Sequence, residues 1–558
     1  MVCTFLRFLV VSGAAVCSAA PQSRGFLRNG GGTTRMIDAS ELEVSLRESL
    51  EGAMGSGTWA HRASEIERKM AKTFQALPKN ENGRLAPSTV RYIVHNYFQK
   101  EHGWLIEGLE PSTVRANASE VHGASIIQNK APAILEALLE ERQSERGLAL
   151  QDAVAMMATL EHLIFDESVV LLERAYELNN MHTGDMLDDV GLHEVLRSYL
   201  LLFRQGQSAN LFDGDLHRSI KARYSTKAGW HDIVAYEQDV QHDYDYNAKM
   251  KVNPFRQRTY SFEEASQMVI NLAEGYGKWQ NEDCRDMKEH LMTMDTKGAG
   301  RIPLDVFYRT DAQSSYEFTE SREYLRDVGA LDESLVGNPS VLIANYLAGP
   351  SNCIASNSYY SVCCLSECEH LMNDIEGHVK GPTASSKQLL SLLGNMSSTT
   401  VDAPRTFSPS MTSRLDQIAD QNEGTIPIHG RLFGQWLHYA FPHECPLPVA
   451  AVNALTPSAW LNGAAIGTVT EREVHIKTSD ELELSGQQSD TEWTEEEILP
   501  FVDQPVRKGG GFVGFMRFMM MASAILFVFK AAYESLQKAL CAHQGKSWQD
   551  EKKCALPI

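Results

Sequence analysis

The chain has 558 residues and a formal net charge of −21, with 43% hydrophobic and 22% charged residues. These fractions are typical of a folded globular protein, and the length exceeds that of one typical domain. A nucleic-acid-binding protein normally presents a dense basic face, and this acidic chain has no such cluster of Lys and Arg. We therefore exclude nucleic acid as an expected partner.

The start of the chain is typical of a secretory signal peptide. Arg7 precedes a short apolar stretch, and small residues follow at Ser18, Ala19 and Ala20, where a signal peptidase would cut. The stretch is too short to span a bilayer. We predict that residues 1–19 form a signal peptide, which directs the remainder of the chain into the secretory pathway.

The body between residues 39 and 450 is predicted to be mainly α. Apolar residues recur at spacings of three and four, as in Val154, Met157, Leu160 and Ile164. Glycine and proline breaks separate these stretches, and alternating strand patterns are scarce. We predict a multi-helix globular body that divides into an N-terminal helical module over 39–252 and a C-terminal module over 253–450.

Glycine-centred turns recur between amphipathic helices at Gly83, Gly300 and Gly424, with a weaker example at Gly184. In a calcium-binding EF-hand loop the sixth residue is Gly, the eighth is aliphatic, and positions one, three, five and twelve supply ligands. These loops keep the glycine frame but lack most of the ligands. We predict degenerate EF-hand-like helix-loop-helix units that act as packing elements, with Asp295 as a weak calcium candidate.

Six cysteines lie in the C-terminal half of the body, an even number that favours disulfide bonds in a secreted protein. No spacing among them matches a zinc site, and the sequence leaves their connectivity open. We expect the run from Tyr359 to His370 to be a helix with two of the cysteines one turn apart. The six disulfide candidates are Cys284, Cys353, Cys363, Cys364, Cys368 and Cys445.

Two N-glycosylation sequons, at Asn117 and Asn395, are consistent with passage through the secretory pathway. After the body, the window 471–503 contains eleven acidic residues and two basic ones, which predicts an acidic disordered stalk over 456–508.

A second apolar run, residues 512–529, is interrupted only by Arg517. Its length is that of a membrane-spanning helix, and a long basic side chain near its start can reach the headgroups. The basic balance after Lys530 favours a cytoplasmic tail. We predict a transmembrane helix over 509–530, a tail over 531–558 and a type I orientation in a secretory-pathway membrane or at the cell surface.

Enzymatic motifs are not recognised in this sequence: we find no nucleophile elbow, Walker loop or dinucleotide fingerprint. Two alternatives remain open but disfavoured. The His231 to Tyr246 stretch is rich in His and acidic residues and could hold a metal, although an acidic solvated helix explains it more simply. Cys353 could be a thiol nucleophile with His429, His438 or His443, although a disulfide explains it more simply.

Three phrases carry a resemblance to a known family: residues 348–368, the phrase from Ile426 to Pro446, and residues 275–281. Over about Thr58 to Pro446 the chain resembles a dinoflagellate family of predicted single-pass membrane proteins with degenerate EF-hand-like loops. The resemblance implies a protist origin and membrane anchoring, and it carries no assigned activity.

These observations favour a membrane-anchored lumenal or extracellular binding or scaffold protein. The expected partner is a protein or a glycan, and no cofactor is expected other than weakly bound Ca²⁺. The first alternative is a weak calcium-responsive EF-hand-like protein. The second is an enzyme without a recognisable motif.

Overall fold

The structure is a computed structural model that describes residues 56–107, 109, 147–206, 212–227, 229–248, 258–309, 316–334, 339–354, 359–448 and 466–482. The predicted signal peptide, the sequon at Asn117, the predicted transmembrane helix and the tail lie outside these residues. Among the helices that are described, none has the length and apolar character needed to cross a bilayer.

The described part of the chain is mainly helical, which confirms the predicted class. Its helices, in chain order, are α1 Ser56–Ala76, α2 Pro87–His102, α3 Leu150–Leu178, α4 Asp189–Gln205, α5 Gly214–Tyr224, α6 Trp230–Asn247, α7 Phe262–Met294, α8 Leu304–Tyr308, α9 Arg322–Asp327, α10 Ile343–Leu347, α11 Glu367–Val379, α12 Ser386–Leu393, α13 Pro409–Gln421, α14 Arg431–Ala440 and α15 Val469–Leu482.

Several helices begin at residues whose side chains accept a backbone N–H of the first turn, which satisfies a group that would otherwise lack a partner. Ser261 at the start of α7 forms a full capping box with Glu264. Other caps of this kind are Asp188, Asp213, Ser321, Ser366, Ser385 and Ser408.

Short strands join the turns between helices. They are β1 Trp104–Ile106, β2 Arg301–Pro303, β3 Leu331–Asp332, β4 Ser340–Leu342, β5 Tyr360–Val362, β6 Thr383–Ala384 and β7 Ile426–Pro427. β1 pairs with β5, β4 lies between β2 and β3, and β6 pairs with β7, all antiparallel.

The predicted glycine turns pair with other turns across these short ladders. The residue two places after Gly83, Leu85, bridges to Leu148, and the loop after Gly184 bridges through Leu187 to Tyr260. In the same way Ile302 of β2 faces Val341, and Ile426 of β7 faces Ala384. Each of these four glycine turns therefore has a partner segment that sequence spacing alone did not reveal.

Three hydrophobic clusters form the interior. Cluster 1 runs from Ala63 to Tyr276 and also contains Tyr360 and Val362 of β5. Cluster 2 is built from Ala76 and residues between Leu371 and Cys445, and cluster 3 runs from Leu291 to Tyr346. The 33-residue helix α7 contributes its first half to cluster 1 and Leu291 to cluster 3, so it is shared by both.

In the middle of α7, position 277 requires glycine because the backbone of another helix lies very close to it. A Cβ at Gly277 would overlap the backbone carbonyl of His102 at the end of α2. Gly103, the residue that follows α2, has a φ of +68°. Glycine is favoured there too, because a Cβ would lie 2.7 Å from the carbonyl oxygen of Cys363. The backbone at the end of α2 therefore lies in direct contact with α7 and with Cys363, the residue that follows β5.

Two expectations differ from the structure. The run from Tyr359 to His370 is not a helix throughout: it begins with β5, and α11 starts only at Glu367, because Ser366 caps it by accepting the N–H of Glu369. Within the predicted disordered stalk, α15 is an ordered helix that packs against α8. The remainder of the predicted stalk lies outside the described residues.

Candidate functional site: the cysteine segment and the Asp295 loop

All six candidate cysteines are paired, which confirms the predicted disulfide set. The bonds join Cys284 to Cys364, Cys353 to Cys363, and Cys368 to Cys445. Cys353 is therefore bonded to another cysteine in this structure and is not a free thiol. The pairs are separated by 80, 10 and 77 residues in the sequence.

Three of these cysteines stand in residues 359–368, which we call the cysteine segment. Its strand β5 pairs with β1 and lies in cluster 1. Cys364 then bonds to α7, and Cys368 bonds to Cys445 in cluster 2. Cys363 bonds to Cys353, which follows the last helix of cluster 3. One short stretch of chain is thus tied to all three clusters.

The Asp295 loop connects α7 to β2. Its two glycines, Gly298 and Gly300, have φ values of +63° and +70°, which favour glycine. Gly300 is also confined by packing, because a Cβ there would overlap the carbonyl oxygen of Pro442. The loop that contains Asp295 therefore packs directly against the segment that leads to Cys445.

The carboxylate of Asp295 accepts hydrogen bonds from groups of the protein itself. Its oxygens accept the backbone N–H groups of Lys297 at 3.2 Å and Gly300 at 2.6 Å, and one oxygen lies 3.0 Å from Nε2 of His443. Burial by itself raises the pKa of Asp295, but these bonds outweigh burial and lower the pKa below its usual value. The ionised carboxylate is stabilised by the loop amides and His443.

Neighbouring contacts strengthen this junction between clusters 2 and 3. Arg301 donates to Asp332 at 2.9 Å, contacts Nε2 of His438 at 3.2 Å and lies over the ring of Tyr439. Burial and the nearby Arg301 lower the pKa of His438 to about 4, so its ring is neutral at pH 7.

Within the described residues, no group of three or more His, Cys, Asp or Glu side chains is placed to bind a metal ion. His231 and His242, the imidazoles of the acidic stretch, lie exposed on α6. Asn80 at the Gly83 turn uses its side-chain oxygen to accept the N–H groups of Asn82 and Arg84. The calcium site at Asp295 remains a prediction.

The sequon at Asn395 lies in the turn that follows α12, and both Asn395 and Ser397 are exposed. Met396 between them packs against cluster 2. The next residues are anchored by Glu444, whose Oε1 accepts the hydroxyls of Ser398 at 2.8 Å and Thr400 at 2.6 Å. This alternation points the two sequon positions outward, and glycosylation there remains a prediction.

A buried polar centre in cluster 1 was not found from the sequence. The carboxylate of Glu161 on α3 pairs with Arg62 at 2.6 Å and accepts Tyr97 at 2.8 Å, and His102 lies 2.7 Å away. Burial opposes its charge, but the His102 and Arg62 contacts prevail and lower the pKa of Glu161 to about 2. The centre connects α1, α2 and α3, and no local pattern could reveal partners so distant in the sequence.

A second polar seam lies where α11 packs against α1 and α2. Glu376 on α11 accepts the Thr73 hydroxyl at 2.6 Å and lies 2.9 Å from His429. Two turns earlier on α11, Glu369 accepts the side-chain amide of Asn96. The pKa of Glu369 is raised to about 7, mainly by burial and secondly by the nearby carboxylate of Glu376.

The comparisons with known proteins give no family. No protein-family model matches the chain, and neither a curated protein nor a solved structure shows significant similarity to it.

The raised pKa of Glu369 predicts a pH-dependent stability. The pKa of Glu369 in the folded state, about 7, exceeds the ordinary value of 4.5, so the folded state binds this proton more tightly than the unfolded state does. The contribution of Glu369 to the free energy of unfolding therefore falls as the pH rises from 4.5 to 7. We expect Glu369→Gln to stabilise the fold at pH 8 by roughly 1–3 kcal/mol and to leave it nearly unchanged at pH 4.5.

Urea unfolding of both proteins between pH 4.5 and pH 8 measures this difference. Glu289→Gln, at an exposed position on α7, controls for the loss of one negative charge. A Glu369→Gln effect that is the same at both ends of the pH range would contradict the assignment.

Proposed function

We propose that this chain is a membrane-anchored lumenal or extracellular protein whose disulfide-braced helical body binds a protein or glycan partner. The observation that carries the proposal is the complete pairing of the six body cysteines. Disulfides persist in oxidising compartments and are rare in the cytosol. The signal-like start of the chain and the apolar run at 512–529 are consistent with that route.

We further propose that the paired helix-turn-helix units are degenerate EF-hand-like units that serve as packing elements. Two features support this. In three of the loops the aliphatic residue two places after the glycine pairs with a partner turn, at Leu85, Ile302 and Ile426. In addition, His443 contacts the carboxylate of Asp295. Such a body offers a rigid surface rather than a catalytic centre.

The secretory placement predicts N-glycosylation of the full chain when it is expressed in eukaryotic cells. We expect endoglycosidase treatment to increase the electrophoretic mobility, and Asn395→Gln to remove one glycan, because Asn395 and Ser397 are exposed. Asn247→Gln, at an exposed asparagine outside any sequon, is the matched control.

If neither sequon carries a glycan and the body cysteines react with maleimide before reduction, the secretory placement is wrong.

A weak calcium-responsive protein is the second candidate, and the observation that favours it is the ionised carboxylate of Asp295 at the first position of its loop. A ligand that binds only the folded state raises the melting temperature. We expect the full chain in detergent to melt at the same temperature in EDTA and in millimolar Ca²⁺, since His443 occupies the carboxylate.

His443→Ala and Asp295→Asn separate the two candidates. His443→Ala removes the group that contacts the carboxylate, whereas Asp295→Asn removes the carboxylate itself. A saturable rise with Ca²⁺ that is larger in His443→Ala and absent in Asp295→Asn would favour the calcium-responsive protein over the packing role.

A further inference from the structure

Residues 466–482, which we call the strap, return to the body after the end of cluster 2. Ile466 forms an antiparallel bridge with Glu320, and the N–H of Gly467 donates to the carbonyl oxygen of Thr319 at 2.8 Å. Thr468 then caps α15, which packs against α8. The strap thus lies along one face of cluster 3.

The described side-chain contacts of residues 466–475 with the body are mainly polar. Arg472 donates to the carbonyl oxygen of Phe318 at 3.3 Å and lies 3.7 Å from the carboxylate of Glu317, which is itself largely exposed. Glu471 accepts the N–H of Arg322 at 3.4 Å. Fully burying one aliphatic side chain contributes about 1.5–3 kcal/mol. Three aliphatic residues of the strap contribute less than that because more than half of each is exposed: Ile466, Val469 and Val474.

The face under the strap contains a buried carboxyl group that is incompletely satisfied. Glu320 is only 4% exposed. Its Oε1 accepts the hydroxyl of Tyr346 at 2.7 Å, and its backbone oxygen accepts the hydroxyl of Tyr308 at 2.9 Å. Among the residues that the structure describes, none donates a hydrogen bond to its Oε2. Burial raises the pKa of Glu320, and hydration of this group would remove that cost.

We propose that residues 466–482 form a detachable strap, which occupies a helix-docking face on cluster 3 and can leave it while the body stays folded. The polar contacts of residues 466–475, which water can replace, and the incompletely satisfied Glu320 both lower the cost of opening. The rest of cluster 3 is held independently, through the β2–β4–β3 ladder and the packing of Leu291, Phe307 and Tyr346.

Release of the strap would lengthen the linker between the body and the proposed membrane anchor. This consequence rests on the proposed function. When the strap is bound to the body, the linker between the body and the apolar run consists of residues 483–511. When the strap is released, the linker consists of residues 449–511. The strap would therefore set how far the body reaches from the membrane, while the opening itself is independent of the anchor.

Gly467→Val tests the proposal. A Cβ at Gly467 would lie 3.2 Å from the Cα of Ser321 and 3.3 Å from the carbonyl oxygen of Glu320, which are backbone atoms with little freedom to move. The larger side chain should displace the strap. Arg472→Ala weakens the same attachment without steric conflict, and Val469→Thr, at a largely exposed position, is the matched control.

Hydrogen exchange of the full chain, followed by peptide, gives the readout. We expect Gly467→Val to abolish amide protection in 466–475 and reduce it in 317–322, with protection of α7 and β4 unchanged; Arg472→Ala should produce a smaller loss in the same peptides, and Val469→Thr none. Wild-type strap amides that exchange as slowly as those of α7, or variants that also lose protection in α7 and β4, would overturn the proposal.

Discussion

The cysteine segment is the constraint on which the arrangement of the body depends. It supplies a strand to cluster 1, a bond to α7 and a bond to cluster 2 within ten residues of chain. A disulfide that closes a loop of 80 or 77 residues removes on the order of 4 kcal/mol of chain entropy from the unfolded state. Two such bonds are comparable with the whole stability of a typical domain.

Around this covalent junction, the clusters meet through charged and polar contacts. Lys288 on α7 donates to Glu367 of the cysteine segment at 2.8 Å and lies 3.6 Å from Glu444, next to Cys445. Asp295 and His443 form a similar junction between clusters 3 and 2. Separating such contacts would be costly, because it would leave a buried carboxylate or ammonium group without compensation.

Local patterns predicted the helices and the turns well. The periodicity around Val154 gave α3, and the glycines at 83, 300 and 424 each mark a turn between helices. The partners of those turns, the connectivity of the cysteines and the Arg62–Glu161 pair join residues far apart in the sequence, and no local period encodes such contacts. The α15 helix was missed because its acidic composition indicates solvent exposure, whereas a few backbone bonds and Arg472 hold it in place.

A disulfide map of the full chain, isolated without reduction from eukaryotic cells, tests most directly whether the cysteine segment joins the three clusters. Proteolysis and mass spectrometry with fragmentation between Cys363 and Cys364 would distinguish the partners of these adjacent residues. We expect bonds of Cys364 to Cys284, Cys363 to Cys353, and Cys368 to Cys445. Free thiols at these positions, or a bond between Cys284 and Cys445, would contradict the claim that one short segment joins the three clusters.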